Sequence, residues 1–410
     1  MTAHIRLLFL LGLFHLGLAI PPALTATRDQ GRFVNDENTY EKSLLKRAAE
    51  TAGPEQPGLK FKLDVSDKDL PRNPQEFQQA WHQPPRSQDL TGACWSFSST
   101  SFFESEVYRV HGRRLKLSEM FTVYWEYVEK TREFVRTRGT SYFGRGSQAN
   151  ATPRLWKQYG IVPFDVYDGR CPGSDIFDDH PMFDEMKTYL ASVKESASWN
   201  EVLVVETIRA ILDRYMTPPP ASFVMYGKTF TPLDYLHDVV SLNMDDYVCV
   251  LSLKEKPYWE KVEYPVPDNW WHSPDYYNVP LDDFMAAIHG AVRQGFTLNI
   301  VGDNSEPGFI QAEDVALVPD FDIPPPFIND DARQMRFSNE ATTDDHAIHL
   351  VGWMEKDGQD WYLIKDSGTR AQNGRVPGYM FYREDFVKLK MMYFMVHRDA
   401  VGNLMERFKR

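Results

Sequence analysis

The decapeptide Gln88-Asp89-Leu90-Thr91-Gly92-Ala93-Cys94-Trp95-Ser96-Phe97 sets a cysteine just after a glycine-containing loop. Apolar residues recur at helical spacing from that point, so Cys94 falls in the first turn of an expected helix. The positive end of a helix stabilises a thiolate. The free N–H groups of a first turn can also hold an oxyanion. Gln88, upstream of the cysteine, supplies a further uncharged donor for the same oxygen. Taken alone, a Cys-Trp pair reads equally as a small buried thiol packed beside an indole. A thiolate nucleophile needs an imidazole to take up its proton, and that imidazole needs a third group to hold its tautomer. Asp345-His346-Ala347 and the run Trp361 to Asp366 offer both at the other end of the chain. His346 is the expected base and Asp366 the residue that orients it. His349 competes for the role of base, but its place between Ile348 and Leu350 reads as mid-strand.

The elements that must position these groups can be read around them. A helix runs from Cys94 to a stop at Gly112, with Cys94, Phe97, Phe102, Val107 and Tyr108 on its apolar face. Glu104, Glu106 and Arg109 suit its outside. Ser118 caps a second helix and Thr152-Pro153 opens a third that ends near Gly160. Residues 175 to 280 form a distinct aromatic-rich region, with helices at Val202 to Leu212 and from Thr231-Pro232. A helix over Leu281 to Gln294 precedes a β-type run from Phe296 to Val301. Further strand-like runs lie at Ala347 to Trp353, Trp361 to Lys365, Tyr379 to Tyr382 and Met391 to His397. Helices first and strands last point to an α+β fold.

Gln-x-x-x-Gly-x-Cys-Trp-x-Phe, then Asp-His-Ala, then Leu-Ile-Lys-x-Ser resembles the papain-like cysteine peptidases. Within them the chain is similar to the bleomycin hydrolase and aminopeptidase C branch. Thr91 stands where secreted papains carry a disulfide cysteine. Gly146-Ser147-Gln148, Lys157-Gln158-Tyr159-Gly160-Ile161-Val162-Pro163 and Thr231-Pro232-Leu233-Asp234-Tyr235 resemble that branch's segments. Cys94 and His346 lie about 250 residues apart, against roughly 130–150 in papain-type enzymes. The surplus matches the region at 175 to 280.

The resemblance implies a two-lobed α+β fold, with a helical left lobe, a β-barrel-like right lobe and a helical insertion. It implies a thiol peptidase acting through an acyl-enzyme on a peptide or protein substrate. Gly146, Ser147, Gln148 and Asp345 become the expected substrate-binding residues, with the Ser147 side chain narrowing the S2 entrance. An inactive peptide-binding relative and an acyl or amide transferase are the alternatives. Three departures stand out. Asp366 replaces the family's asparagine, and its charge should raise the pKa of His346. Ser367-Gly368 lacks the tryptophan that covers the histidine–asparagine hydrogen bond. Only Arg398 to Arg410 follow the last strand, too short for the arm that enforces aminopeptidase action in that branch.

The surroundings of this core are legible too. Arg6, the apolar run Leu7 to Leu18 and small residues at Gly17-Leu18-Ala19 have the layout of a secretory signal peptide. The run is too short to span a bilayer. The chain therefore divides into a signal peptide (1–26), an arm (27–64), a peptidase domain (65–400) with its insertion, and a tail (401–410). It is expected to be secreted or periplasmic, with no membrane span after cleavage. With 58 acids against 45 bases in 410 residues, the net charge of −13 disfavours a nucleic-acid partner. Three cysteines allow at most one bridge, Cys171–Cys249 if Cys94 is free. No metal or cofactor is implied, since no cluster has ligand spacing. Nothing in the sequence requires an oligomer.

Overall fold

The computed structural model describes residues 28–48 and 59–408. The expected signal peptide lies outside them. Near the start, β1 (Gly31–Asn35) pairs antiparallel with β2 (Leu59–Leu63), and between them α1 (Thr39–Arg47) is capped by the Asn38 side chain on Glu41 N. Tyr40 Oη donates to Asp89, while Asn38 and Tyr40 bond Thr369 and Asn373. The arm thus ties the segment before Cys94 to the segment after Asp366. The short β3 (Gln78–Gln79) follows.

The helical lobe is built from α2 (Cys94–His111), α3 (Glu119–Arg136), α4 (Ala151–Tyr159), α5 (His180–Glu195) and α6 (Glu201–Met216). Gly112, at φ 67°, ends α2 in the left-handed conformation, and Ser118 caps α3 on Phe121 N, as the sequence indicates. One expectation for α2 fails. Glu104 and Glu106 do not face outward; they are 0% and 1% exposed. Glu104 Oε1 accepts from Lys116 Nζ (3.0 Å) and Leu117 N (2.8 Å), and Glu106 pairs with Arg109. The helix is enclosed by packing on more than one side, so its acids are paired inside rather than solvated.

The region set apart from 175 onward is helical only at first. After α6 come the hairpin β4 (Phe223–Met225) and β5 (Lys228–Phe230), then α7 (Pro232–Tyr235), whose Thr231–Asp234 capping box matches the expected start. From β6 (Tyr247–Leu251) onward, with β7 (Lys261–Val262) and β8 (Tyr276–Asn278), the chain enters the main sheet. The remaining elements are α8 (Leu281–Arg293), β9 (Leu298–Gly302), β10 (Phe309–Ile310), β11 (Val315–Ala316), α9 (Asp330–Ser338), β12 (His346–Lys356), β13 (Gln359–Lys365), β14 (Tyr379–Arg383), α10 (Glu384–Lys390), β15 (Met391–His397) and α11 (Gly402–Arg407). The sheet order is β10-β11-β14-β13-β12-β9-β15-β6-β8-β7, with β3 on β12. Apolar residues of α8 and of the central strands share one core, and those of α2 to α6 share another. No helix among the described residues is long and apolar enough to cross a membrane.

The one bridge the cysteine count allows, Cys171–Cys249, does not form. Cys94, Cys171 and Cys249 are all free, with Cys171 exposed and Cys249 buried in β6.

Candidate active site

Two elements meet at the site. The N-terminus of α2 comes from the helical lobe, and the β12–β13 hairpin from the sheet. His349 pairs with Lys365 across that hairpin, so His346 at the head of β12 and Asp366 just beyond β13 share one end. His346 Nε2 and Asp366 Oδ1 are 2.7 Å apart. Cys94 is near enough to the same ring to act on its charge. With Nε2 on Asp366, Nδ1 is the nitrogen left for the thiol. Burial on its own lowers the pKa of His346. The charge and hydrogen bond of Asp366, with Cys94 opposite, outweigh burial and hold it well above the usual range. An imidazolium is therefore favoured, which is the partner a thiolate needs.

The departures at Asp366–Gly368 leave the pair covered. Asp366 is 2% exposed, and its Oδ1 also accepts from Gly368 N at 2.7 Å. A Cβ on Gly368 would lie 3.2 Å from His346 Cε1. The close backbone of Gly368 thus backs that edge of the ring.

Gln88 stands beside them. Its backbone N donates to Ser367 O (2.9 Å), and its Oε1 accepts from Ser367 Oγ (2.7 Å). One hydrogen of Nε2 goes to Thr91 O (2.8 Å), so the other is free. The first N–H groups of α2 lack a preceding turn, and no side chain caps them. The helix start and the Gln88 amide thus each keep a free donor. The loop between them is fixed by Arg145, which pairs with Asp179 and bonds Leu90 O. Nothing in the sequence singled out Arg145 or Asp179, and Ser367 was read only as part of a motif, because each acts through partners brought in by the fold.

His349 is not placed as a base. It is fully buried, its Nδ1 bonds Ser101 Oγ (2.8 Å), and burial beside Lys365 holds its pKa well below 6.5.

The expected substrate segment lies at the start of α4. Lys130 Nζ donates to the carbonyls of Gly144 (2.8 Å) and Gly146 and so fixes its path. Ser147 turns its hydroxyl to the buried Glu126, not into an S2 entrance. Gln148 Nε2 donates to Asp344 Oδ2 (2.7 Å), which links this segment to the chain before His346. Asp345 is exposed.

No protein-family model matches the chain, and no curated protein does. Among solved structures, PepW from Lactobacillus rhamnosis is similar with a TM-score of 0.68 at 16% identity, over 82% of this chain and 85% of that one. A structure from a comparison of the mite allergens Blo t 1 and Der p 1 aligns over 88% of this chain and 92% of its own, at 14% identity and a TM-score of 0.40. Digestive procathepsin L 3 of Tenebrio molitor larval midgut aligns over 80% and 71%, at 14% identity and a TM-score of 0.36. The PepW match gives the class: this chain has the papain-like cysteine peptidase fold. The particular scaffold it shares is that of PepW.

Proposed function

We propose that the chain is an exported thiol peptidase that hydrolyses peptide bonds with Cys94 as nucleophile. The observation that carries this reading is His346, bonded to Asp366 at 2.7 Å and facing Cys94 at an uncapped helix start. In the mechanism, Cys94 Sγ attacks the scissile carbonyl carbon, and the π electrons move to the oxygen. The Cys94 N–H and the free Gln88 N–H hold that oxyanion. The tetrahedral species collapses, the C–N bond breaks, and the imidazolium of His346 gives its proton to the leaving amine. The acyl-enzyme is then attacked by water, whose proton returns to His346, and the C–S bond breaks to release the acid. Asp366 keeps the ring oriented and stabilises its cation. Export rests on the signal-like layout of residues 1–26.

The test is turnover of a panel of fluorogenic peptides together with iodoacetamide labelling. Fast labelling at Cys94 near neutral pH, and turnover lost in Cys94→Ala, are expected. Slow labelling typical of an unassisted thiol, with no cleavage of any peptide, would overturn the reading.

A further inference from the structure

Beside Gly146 stand two carboxylates that join no ion pair among the described residues. Asp268 comes from the loop between β7 and β8. Its Oδ2 lies 2.0 Å from where a Cβ on Gly146 would stand, so it fills the space over that glycine. Its Oδ1 is buried without a partner. Asp344, two residues before His346, is close enough for the two acids to repel each other. Neither joins an ion pair among the described residues. Lys130 is near Asp268, but its Nζ serves the carbonyls of Gly144 and Gly146.

An independent observation points to a missing donor. The Gln148 side chain is 1% exposed, and its amide faces Asp344 through Nε2. Its Oε1 nevertheless has no partner. The hydroxyl of Tyr264, fully buried and near enough to feel the Asp344 charge, is also unpartnered. Unpartnered polar atoms beside two acids that lie outside any ion pair suit a ligand that brings both hydrogens and positive charge.

We propose that Asp268 and Asp344, with Gln148 Oε1, form a subsite for a cationic group of the peptide. The inference rests on Gly146–Gln148 being the substrate segment of the proposed peptidase. Asp268 also blocks an extended chain from continuing over Gly146. The cation is then either the α-ammonium of a peptide that ends there or a Lys or Arg side chain turned into the space. In support, burial and repulsion from Asp268 push the Asp344 carboxyl up to about 7, as expected of an acid pair awaiting a counter-charge.

The experiment is calorimetric binding to full-length Cys94→Ala, which needs no turnover. Three probes separate the sources: Gly-Phe-Ala amide, its N-acetyl form, and acetyl-Lys-Phe-Ala amide. At least one charged probe should bind about tenfold or more tighter than the neutral one. A preference for the first identifies the chain terminus, and for the third the side chain. Adding Asp268→Asn and Asp344→Asn should erase the preference. Equal binding of all three, no binding of either charged probe, or a preference that survives both substitutions would overturn the subsite. Turnover by the native chain keeps the two ideas apart. Cleavage of neutral, blocked peptides without charge preference leaves the peptidase standing and removes the subsite. Selective binding with no cleavage does the reverse.

Discussion

His346 Nε2 and Asp366 Oδ1 face each other at 2.7 Å across the end of the β12–β13 hairpin, in a pocket that leaves Asp366 2% exposed. A carboxylate there does two jobs: it orients the ring, and it holds the proton on it. An asparagine would do only the first. The folded pKa of His346 is raised, so its stabilising contribution is complete below the unfolded value of about 6.5 and is lost as pH rises through the folded value. The alkaline limb of activity should follow the same proton. Asp366→Asn should keep much of the turnover and move that limb to lower pH. A pH–rate profile checks this. An unmoved limb would show that Asp366 does not set the charge of His346.

Gln88 is held on both sides of its amide, by Ser367 Oγ on Oε1 and by Thr91 O on Nε2. That leaves one rigidly aimed hydrogen. Gln88→Ala should lower the acylation rate by about 10²–10³, the usual cost of losing one oxyanion donor. Ser367→Ala frees Oε1 while keeping the donor, so its loss should be smaller and fall on kcat rather than KM. Pre-steady-state release of the leaving group measures both. Unchanged acylation in Gln88→Ala would remove it from the site.

The proposed catalytic set could be picked out in the sequence because its demands are local. A cysteine after a glycine-containing loop, a histidine opening a strand and a polar residue closing the next one can each be seen in a short window. The hairpin register then does the rest, since pairing His349 with Lys365 brings His346 and Asp366 to one end. Glu104 and Glu106 were misplaced because helical periodicity assigns charges to an outer face, and α2 has packing there instead. Ser147 was misread because only the fold shows that Glu126 lies ready to take its hydroxyl. Asp268 and Asp344 left no local trace at all. They come from distant stretches of chain and meet only through the loop that crosses Gly146.

The state of the cysteines gives a prediction that needs no substrate. With no disulfide in the structure, mild reductant should leave the melting temperature unchanged. A thiol reagent should react with Cys171, which is exposed, and with Cys94, which is partly so. Burial in β6 should protect Cys249 until the chain unfolds. Titration with a chromophoric disulfide in native buffer and then in denaturant separates the classes. A drop in melting temperature on reduction would reveal a bridge that the structure does not contain.

Lys365 carries the sharpest stability prediction. It lies directly before Asp366 with 8% exposure, and its Nζ donates to Ser101 Oγ at 2.8 Å without a carboxylate in contact. Burial pushes its pKa down to about 8; Glu104 and Glu119 pull it up, and Lys116 and Arg86 oppose them. The folded value is below the unfolded one of about 10.4, so the unfolded chain binds more protons between them. Stability must therefore rise with pH across that window, and the cost of the buried charge is full below about 8. Lys365→Met removes the charge but also the bond to Ser101, a loss of about 1 kcal/mol. The net gain at pH 7 should be about 1–2 kcal/mol. It should vanish by about pH 10, where the native lysine is neutral and the lost hydrogen bond remains. Denaturant midpoints at the two pH values measure the difference. A gain of equal size at both would mean that packing, not the buried charge, explains it.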